Sequence, residues 1–380
     1  IPAMELFSAL VKERAETGRI YIMNVDHCNT HSSFKDNVYM SNLCQEITLP
    51  TKPLEHIDDE KGEIALCILS AINVGILKDI DDLEELCELA VRALEEIIDY
   101  QKYPIKAAEI STKARRSLGI GYIGLAHYLA KNHVKYEDKT AWEIVHNLSE
   151  AFQYYLLKAS NKLAQERGAC KYFDRTKYSD GILPIDTYKT DVDSIVENKL
   201  KYDWASLRKD ILEFGLRHST LSAQMPSESS SVVSNATNGI EPPRGYLSVK
   251  KSKKGPLKQI VPQYNTLKNH YTLLWDMPSN EGYINVVAVM QKFFDQAISG
   301  NWSYNPTHFE NNEVPMSVMM QDLLNTYKYG WKTSYYQNTY DYKTDDDEPA
   351  HSLGWHDNVA ETKPATLQIG DEEECEACNI

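Results

Sequence analysis

Apolar residues recur at helical spacing in several stretches of the chain. Leu6, Leu10 and Val11 lie on one stripe within residues 3–17, and Gly18 is a natural helix stop. The clearest stretch is 81–100, where Leu83, Leu86, Ala90, Leu94 and Ile97 recur with acidic residues between them. Residues 141–167 predict a further helix ended by Gly168, and residues 316–329 another, punctuated by Gly330. Shorter runs read as strands: Arg19 to Val25, Ile64 to Ser70, and a segment through Tyr335 and Tyr336. Helices alternating with short β-branched segments predict an α/β architecture. Periodicity stops near residue 341, after which Asp, Glu, Thr, Pro and Gly dominate up to Cys375. The expected organisation is a globular unit over 1–340 and a flexible acidic tail over 341–380.

A hydrophobic share of 42% and a charged share of 25% are those of a soluble globular protein. No apolar run approaches the about 18 residues of a membrane span, and the start lacks a signal-peptide layout. Forty basic against fifty-five acidic residues leave a formal net charge of −15, which opposes nucleic-acid binding through phosphate neutralisation. Seven cysteines without a secretion signal argue against a disulfide scaffold and for a reducing, cytoplasmic setting. Conspicuous thiols are then candidates for chemistry. Cys87, beside an apolar helical stripe, reads as core.

The densest polar cluster is Ser41-Asn42-Leu43-Cys44-Gln45-Glu46-Ile47. In an extended strand, Asn42, Cys44 and Glu46 would share one face, giving an amide, a thiol and a carboxylate in a row. The bland alternative is a half-buried strand with an incidental cysteine. Cys67 sits in an apolar run typical of an inner strand, and a redox role would need a second thiol within disulfide reach. Pro226-Ser227-Glu228-Ser229-Ser230 is either a capping box or a phosphate site at a helix start. Tyr335-Tyr336 would point to opposite faces of a strand, so core packing does not explain both. Cys375 and Cys378 form a Cys-x-x-Cys pair with neither a second pair for zinc nor a following helix, which favours a tethered exchanging dithiol. Gly119 to Gly124 fits the dinucleotide fingerprint but follows a basic helix end and lacks a strand-end acid. His27, Cys28 and His31 have loosely metal-like spacing without a fourth ligand, and no metal site is expected.

The combination and order of these signals resemble the large subunit of class I ribonucleotide reductase. The resemblance is carried by Asn24 to His31, Ser41 to Cys44, Gly62 to Cys67, Arg217 to Ala223, Met225 to Ser230, Asn235 to Gly245 and Tyr335 to Thr339. It implies a ten-stranded α/β barrel of two five-stranded parallel halves, with a central loop carrying the radical thiol. By that resemblance Cys44 takes the 3′-hydrogen of a ribonucleoside diphosphate, Glu46 accepts the 3′-hydroxyl proton, and Asn42 holds the ribose hydroxyls. Cys67 is one of two thiols that reduce C2′, and Pro226 to Ser230 bind the substrate phosphates. Tyr335 and Tyr336 relay the radical from a small subunit that holds a stable radical and a di-iron centre. Cys375 and Cys378 reduce the spent disulfide and are recharged by a thioredoxin or glutaredoxin. No cofactor is expected on this chain itself.

The family's catalytic chain is roughly twice this long, so the expected partners include a separate N-terminal half carrying the second reducing cysteine. The family's common tail has four residues between its cysteines instead of two. Two other readings stay open: an inactive fragment that only assembles with the small subunit, and a dithiol oxidoreductase working through the tail.

Overall fold

The computed structural model describes residues 2–197, 199–252 and 255–341. Its first helices are α1 (Ala3–Thr17), α2 (Val25–Thr30), α3 (Asp82–Tyr100), α4 (Lys106–Arg115) and α5 (Leu125–Lys131). They are followed by α6 (Lys139–Arg167), α7 (Trp204–Phe214), α8 (Glu228–Val233), α9 (Tyr264–Leu267), α10 (Glu281–Gln291) and α11 (Met316–Lys328). The strands are β1 (Ile22–Met23), β2 (Ile68–Asn73), β3 (Leu118–Ile123), β4 (Leu247–Ser252), β5 (Gly255–Ile260), β6 (Trp302–Tyr304), β7 (Thr333–Ser334) and β8 (Gln337–Thr339). The fold is α/β, as the alternation of elements predicts.

The expected helices form, and glycines in positive-φ conformations stop α1 at Gly18 and α6 at Gly168. On α3 the buried stripe is Leu83, Cys87, Val91, Leu94 and Ile98, so Ile97 lies outside it and is exposed. Cys87 is fully buried, a packed core thiol against α6. Acidic residues in the first turn of α3 complement the helix dipole. The long α6 packs against both α3 and α10, and α10 is buried almost all round. The strand expected over Arg19 to Val25 is a correction. Only Ile22 and Met23 pair, antiparallel to β7. The chain then turns into α2 because Asn24, His27 and Cys28 all bond to the carbonyls of Trp331 and Lys332.

Five segments run side by side through the centre. β2 pairs in parallel with β3, and β3 exchanges bonds with 220–224 (Leu118 N to Thr220 O 3.1 Å, Ala223 N to Ile120 O 3.2 Å). Segment 220–224 bonds 296–300 in turn (Gln296 N to Ser222 O 3.0 Å, Ser299 N to Gln224 O 3.0 Å). Tyr335 N donates to Gly300 O, and β6 pairs in parallel with β8. These ladders form no closed barrel among the described residues. Cys67 corrects the inner-strand reading: it lies one residue before β2, a strand with β3 as its sole partner among the described residues. The other side of that strand is open, and Leu66 and Leu69 are 38% and 42% exposed. Edges of this kind invite a covering segment.

Two buried charges fix the turn at 294–296. The Asp295 carboxylate accepts from Leu221 N (2.9 Å), Ser222 N (2.9 Å), Ser222 Oγ (3.1 Å) and the Tyr178 hydroxyl (2.8 Å). The Lys332 ammonium donates to the carbonyls of Phe294, Asp295 and Gln296, at 3.2, 2.9 and 2.8 Å. All three of its protons find acceptors, although burial lowers its pKa to about 7.

The Gly119-Gly121 pair belongs to the interior of β3 and not to a phosphate loop. A Cβ on Gly119 would meet Leu69 Cδ2 at 2.5 Å and Cys67 Sγ at 3.1 Å. On Gly121 it would meet Ala223 O at 2.7 Å. Glycine here lets neighbouring backbone and side chains approach. Gly121→Ala presses on a backbone carbonyl that cannot swing away, so it is expected to destabilise the chain by about 1–3 kcal/mol. A fall in the urea midpoint at unchanged slope checks this.

Candidate active site

Residues 41–47 form a tight turn rather than the strand that one-face alternation requires. Asn42 N donates to Ile47 O (3.2 Å), Gln45 N to Asn42 O (3.1 Å), and Ile47 N to Asn42 Oδ1 (3.1 Å). Asparagine closes such turns by offering its side-chain oxygen to the backbone. Gln45 takes φ +67° at the corner. With its carboxamide nitrogen turned toward two carbonyls, it donates to Ser334 O (3.0 Å) and Ile22 O (3.2 Å). The turn is thereby pinned to β1 and β7.

The far side of the turn rests on segment 296–300. Ala297 N donates to Glu46 O at 3.0 Å and Thr48 N to Gln296 Oε1 at 3.3 Å. Ser299 Oγ bonds the Cys44 carbonyl and lies 3.3 Å from Glu46 Oε2, so its one proton serves one acceptor at a time. The Glu46 side chain is buried. Burial raises its carboxyl above the usual range, against hydrogen bonds from Asn42 and Ser299 that favour the charged form. Asn42 and Glu46 therefore meet, through a turn instead of a shared strand face.

Tyr335 is also corrected. β7 ends at Ser334 and β8 begins at Gln337, so neither tyrosine belongs to a strand. Tyr336 N bonds Asn301 Oδ1 (3.0 Å) in place of a ladder carbonyl. At this break the two rings turn to the same side, with centroids 4.2 Å apart. The Tyr335 hydroxyl donates to Cys44 Sγ at 3.4 Å. Burial raises the phenol pKa, as do its bonds with Cys44 and Tyr336. Tyr21 packs on both rings, at 4.7 and 5.3 Å.

Cys67 approaches the same platform from the residue just before β2. Gln296 Nε2 donates to its Sγ at 3.5 Å. Burial pushes this thiol up, the Gln296 bond opposes that, and the Glu46 and Asp295 carboxylates add to the rise. Pro226 to Ser230 follow segment 220–224 directly, leading into α8. The capping-box reading of this stretch fails in its side chain, since Ser227 Oγ turns back to Met225 O at 3.4 Å. Cys375 and Cys378 lie outside the described residues.

The His27-Cys28-His31 group is committed elsewhere. His27 Nδ1 bonds Trp331 O (2.8 Å), and His31 bonds Thr187 and Gln291 (3.0 and 2.7 Å). No cluster among the described residues has the ligands for a metal ion. The five cysteines among the described residues are free thiols, and no described helix is long and apolar enough to cross a membrane. Sequence patterns missed Tyr21, Gln45, Gln296 and Ser299. Each makes at least one contact with a residue far away in the chain, where local periodicity carries no signal.

Comparison with known proteins gives the family. The family described as ribonucleotide reductase, barrel domain, matches residues 1–337. A ribonucleoside-diphosphate reductase subunit alpha of Haemophilus influenzae is 62% identical over 344 residues, covering 90% of this chain and 46% of that protein. Ribonucleoside-diphosphate reductase 1 subunit alpha of Escherichia coli is 58% identical, covering 90% and 45%. The subunit alpha of phage T4 is 45% identical, covering 91% and 46%. The chain thus spans about half the length of the curated relatives it matches.

The raised Glu46 pKa has a sign that stability can read. Glu46 binds its proton more tightly folded than unfolded, where carboxyls titrate near about 4.3. Its contribution is full below that pH and is lost as pH rises through the folded value. Glu46→Gln removes the loss, so the urea midpoint of the variant relative to the parent is expected to rise between pH 4 and pH 7. A difference that stays constant with pH would show a carboxyl that titrates as if exposed.

Proposed function

The chain belongs to the ribonucleotide reductase barrel-domain family, and from that premise we propose that it carries the thiyl-radical part of a site reducing ribonucleoside diphosphates to 2′-deoxyribonucleoside diphosphates. The observation that carries the reading is the Tyr335 hydroxyl on Cys44 Sγ, with the buried Glu46 carboxyl in the same turn. The C3′–H bond of ribose is beyond acid–base chemistry, so the oxidising equivalent must come from elsewhere and be kept from water. A small subunit with a stable radical and di-iron centre would supply it.

Tyr336 and then Tyr335 pass that equivalent inward. A phenol whose pKa is raised stays protonated, so Tyr335 gives up its electron together with its proton. Oxidised Tyr335 takes the hydrogen atom of the Cys44 thiol, and the sulfur, left with an unpaired electron, takes the 3′-hydrogen and becomes a thiol again. Glu46 accepts the 3′-hydroxyl proton, which helps the 2′-hydroxyl, protonated by a thiol of the reducing pair, leave as water. Asn42 orients the ribose hydroxyls. Cys67 and a second thiol then supply two electrons and end as a disulfide, and Cys44 returns a hydrogen to C3′. The start of α8, with Pro226, Ser227, Glu228, Ser229 and Ser230, would take the diphosphate, as leading amides and hydroxyls favour anions.

The remaining half of the relatives' length would supply the second thiol and cover the open edge of β2, and with it the second five strands of a barrel. In this reading Cys375 and Cys378 reopen the disulfide and are recharged by a thioredoxin or glutaredoxin. The test combines the chain with a family N-terminal half and a radical-bearing small subunit, and measures deoxynucleotide. The combination is expected to form product. Cys44→Ser and Tyr335→Phe are expected to fall to the blank, and Glu46→Gln by about 10²-fold or more. Equal product from Cys44→Ser and parent would favour an inert assembly module. Disulfide exchange without any deoxynucleotide would favour a simple dithiol oxidoreductase.

A further inference from the structure

Gln296 is a fully buried carboxamide with all its side-chain bonds made to different parts of the site. Nε2 donates to Cys67 Sγ at 3.5 Å and to Leu118 O at 2.9 Å, and Oε1 accepts from Thr48 N at 3.3 Å. The orientation is fixed by chemistry: reversed, the carboxamide oxygen would face the Leu118 carbonyl and the nitrogen would face the Thr48 N–H. The backbone of Gln296 is held equally firmly. Its N–H donates to Ser222 O, and its carbonyl accepts from Lys332 Nζ (2.8 Å) and Gln291 Nε2 (2.9 Å).

We propose that Gln296 is a positioning residue for the Cys67 thiol, setting both the place of the sulfur beside the Cys44 turn and its readiness to carry negative charge. This deepens the proposed function and rests on it only for its meaning in turnover. An N–H aimed at sulfur strengthens when that sulfur is a thiolate, because bonds to ions are the stronger ones. The other groups acting on this sulfur work the other way: burial, and the Glu46 and Asp295 carboxylates. Gln296 is therefore the donor that offsets an otherwise hostile setting. When an external thiolate opens a disulfide containing Cys67, one S–S bond forms and one breaks. If Cys67 departs, it keeps the electron pair of the broken bond, and the Gln296 N–H faces that charge.

The test measures alkylation of Cys67 by iodoacetamide against pH, by mass spectrometry on the whole reduced chain, with no nucleotide or partner. Gln296→Met keeps the length and removes the donor. Gln296→Glu keeps the shape and adds an acceptor. Gln291→Met loosens the same turn without touching the sulfur. Both Gln296 variants are expected to slow Cys67 alkylation about tenfold at a fixed pH, the effect of one lost hydrogen bond on the thiolate fraction. The Cys44 rate and the Gln291→Met chain should stay near the parent. Unchanged Cys67 reactivity in both Gln296 variants, at parental melting temperature, would overturn the proposal. So would an equal slowing in Gln291→Met, which would reduce Gln296 to a structural prop. Because the readout needs no deoxynucleotide, failure of the proposed function in reconstitution leaves this result standing, and the reverse holds too.

Discussion

The arrangement hangs on one contact, the phenol of Tyr335 against the sulfur of Cys44. The two residues are 291 positions apart in the chain, so nothing local brings them together. Tyr335 is placed by its backbone bond to Gly300, and Cys44 by the Ser299 hydroxyl on its carbonyl. Both partners are thus fixed by adjacent residues of a single segment. A shift of that segment moves phenol and thiol together, which keeps their separation steady where radical passage would need it.

The segment is costly to build, since it carries buried charge. Asp295 and Lys332 sit in the interior without pairing directly in a short salt bridge; Lys332 is satisfied by three backbone carbonyls, and Asp295 by two backbone amides together with the Ser222 and Tyr178 hydroxyls. Ions solvated by peptide dipoles are held in one geometry, because every donor or acceptor is spent. From this rigid turn radiate Gln296 toward Cys67, Ala297 toward Glu46, Ser299 toward Cys44 and Gly300 toward Tyr335.

Much of the frame was legible in the sequence, because helices announce themselves by local periodicity. α1, α3, α6 and α11 follow from apolar spacing and from Gly18 and Gly168. The chemical residues were legible by type and order, but their geometry was not. Alternation suggested that Asn42, Cys44 and Glu46 share a strand face, whereas an asparagine-closed turn brings Asn42 to Glu46. Tyr335 and Tyr336 were expected on opposite faces of a strand, yet a break in the ladder brings their rings into tilted contact. Gly119 and Gly121 fit a dinucleotide fingerprint that the preceding basic helix end argued against, because close packing of β3 demands the same residue as close approach to a ligand. Short strands, set by partners hundreds of residues away, leave the weakest trace.

The most direct measurement of the central contact is the infrared S–H stretch of Cys44, isolated as the difference between the parent chain and Cys44→Ser. With the Tyr335 hydroxyl donating to the sulfur, Tyr335→Phe should shift this band, since the sulfur loses its donor while ring packing is kept. An identical band in the parent and Tyr335→Phe chains would mean that the phenol does not touch the thiol, and the account would be contradicted at its root.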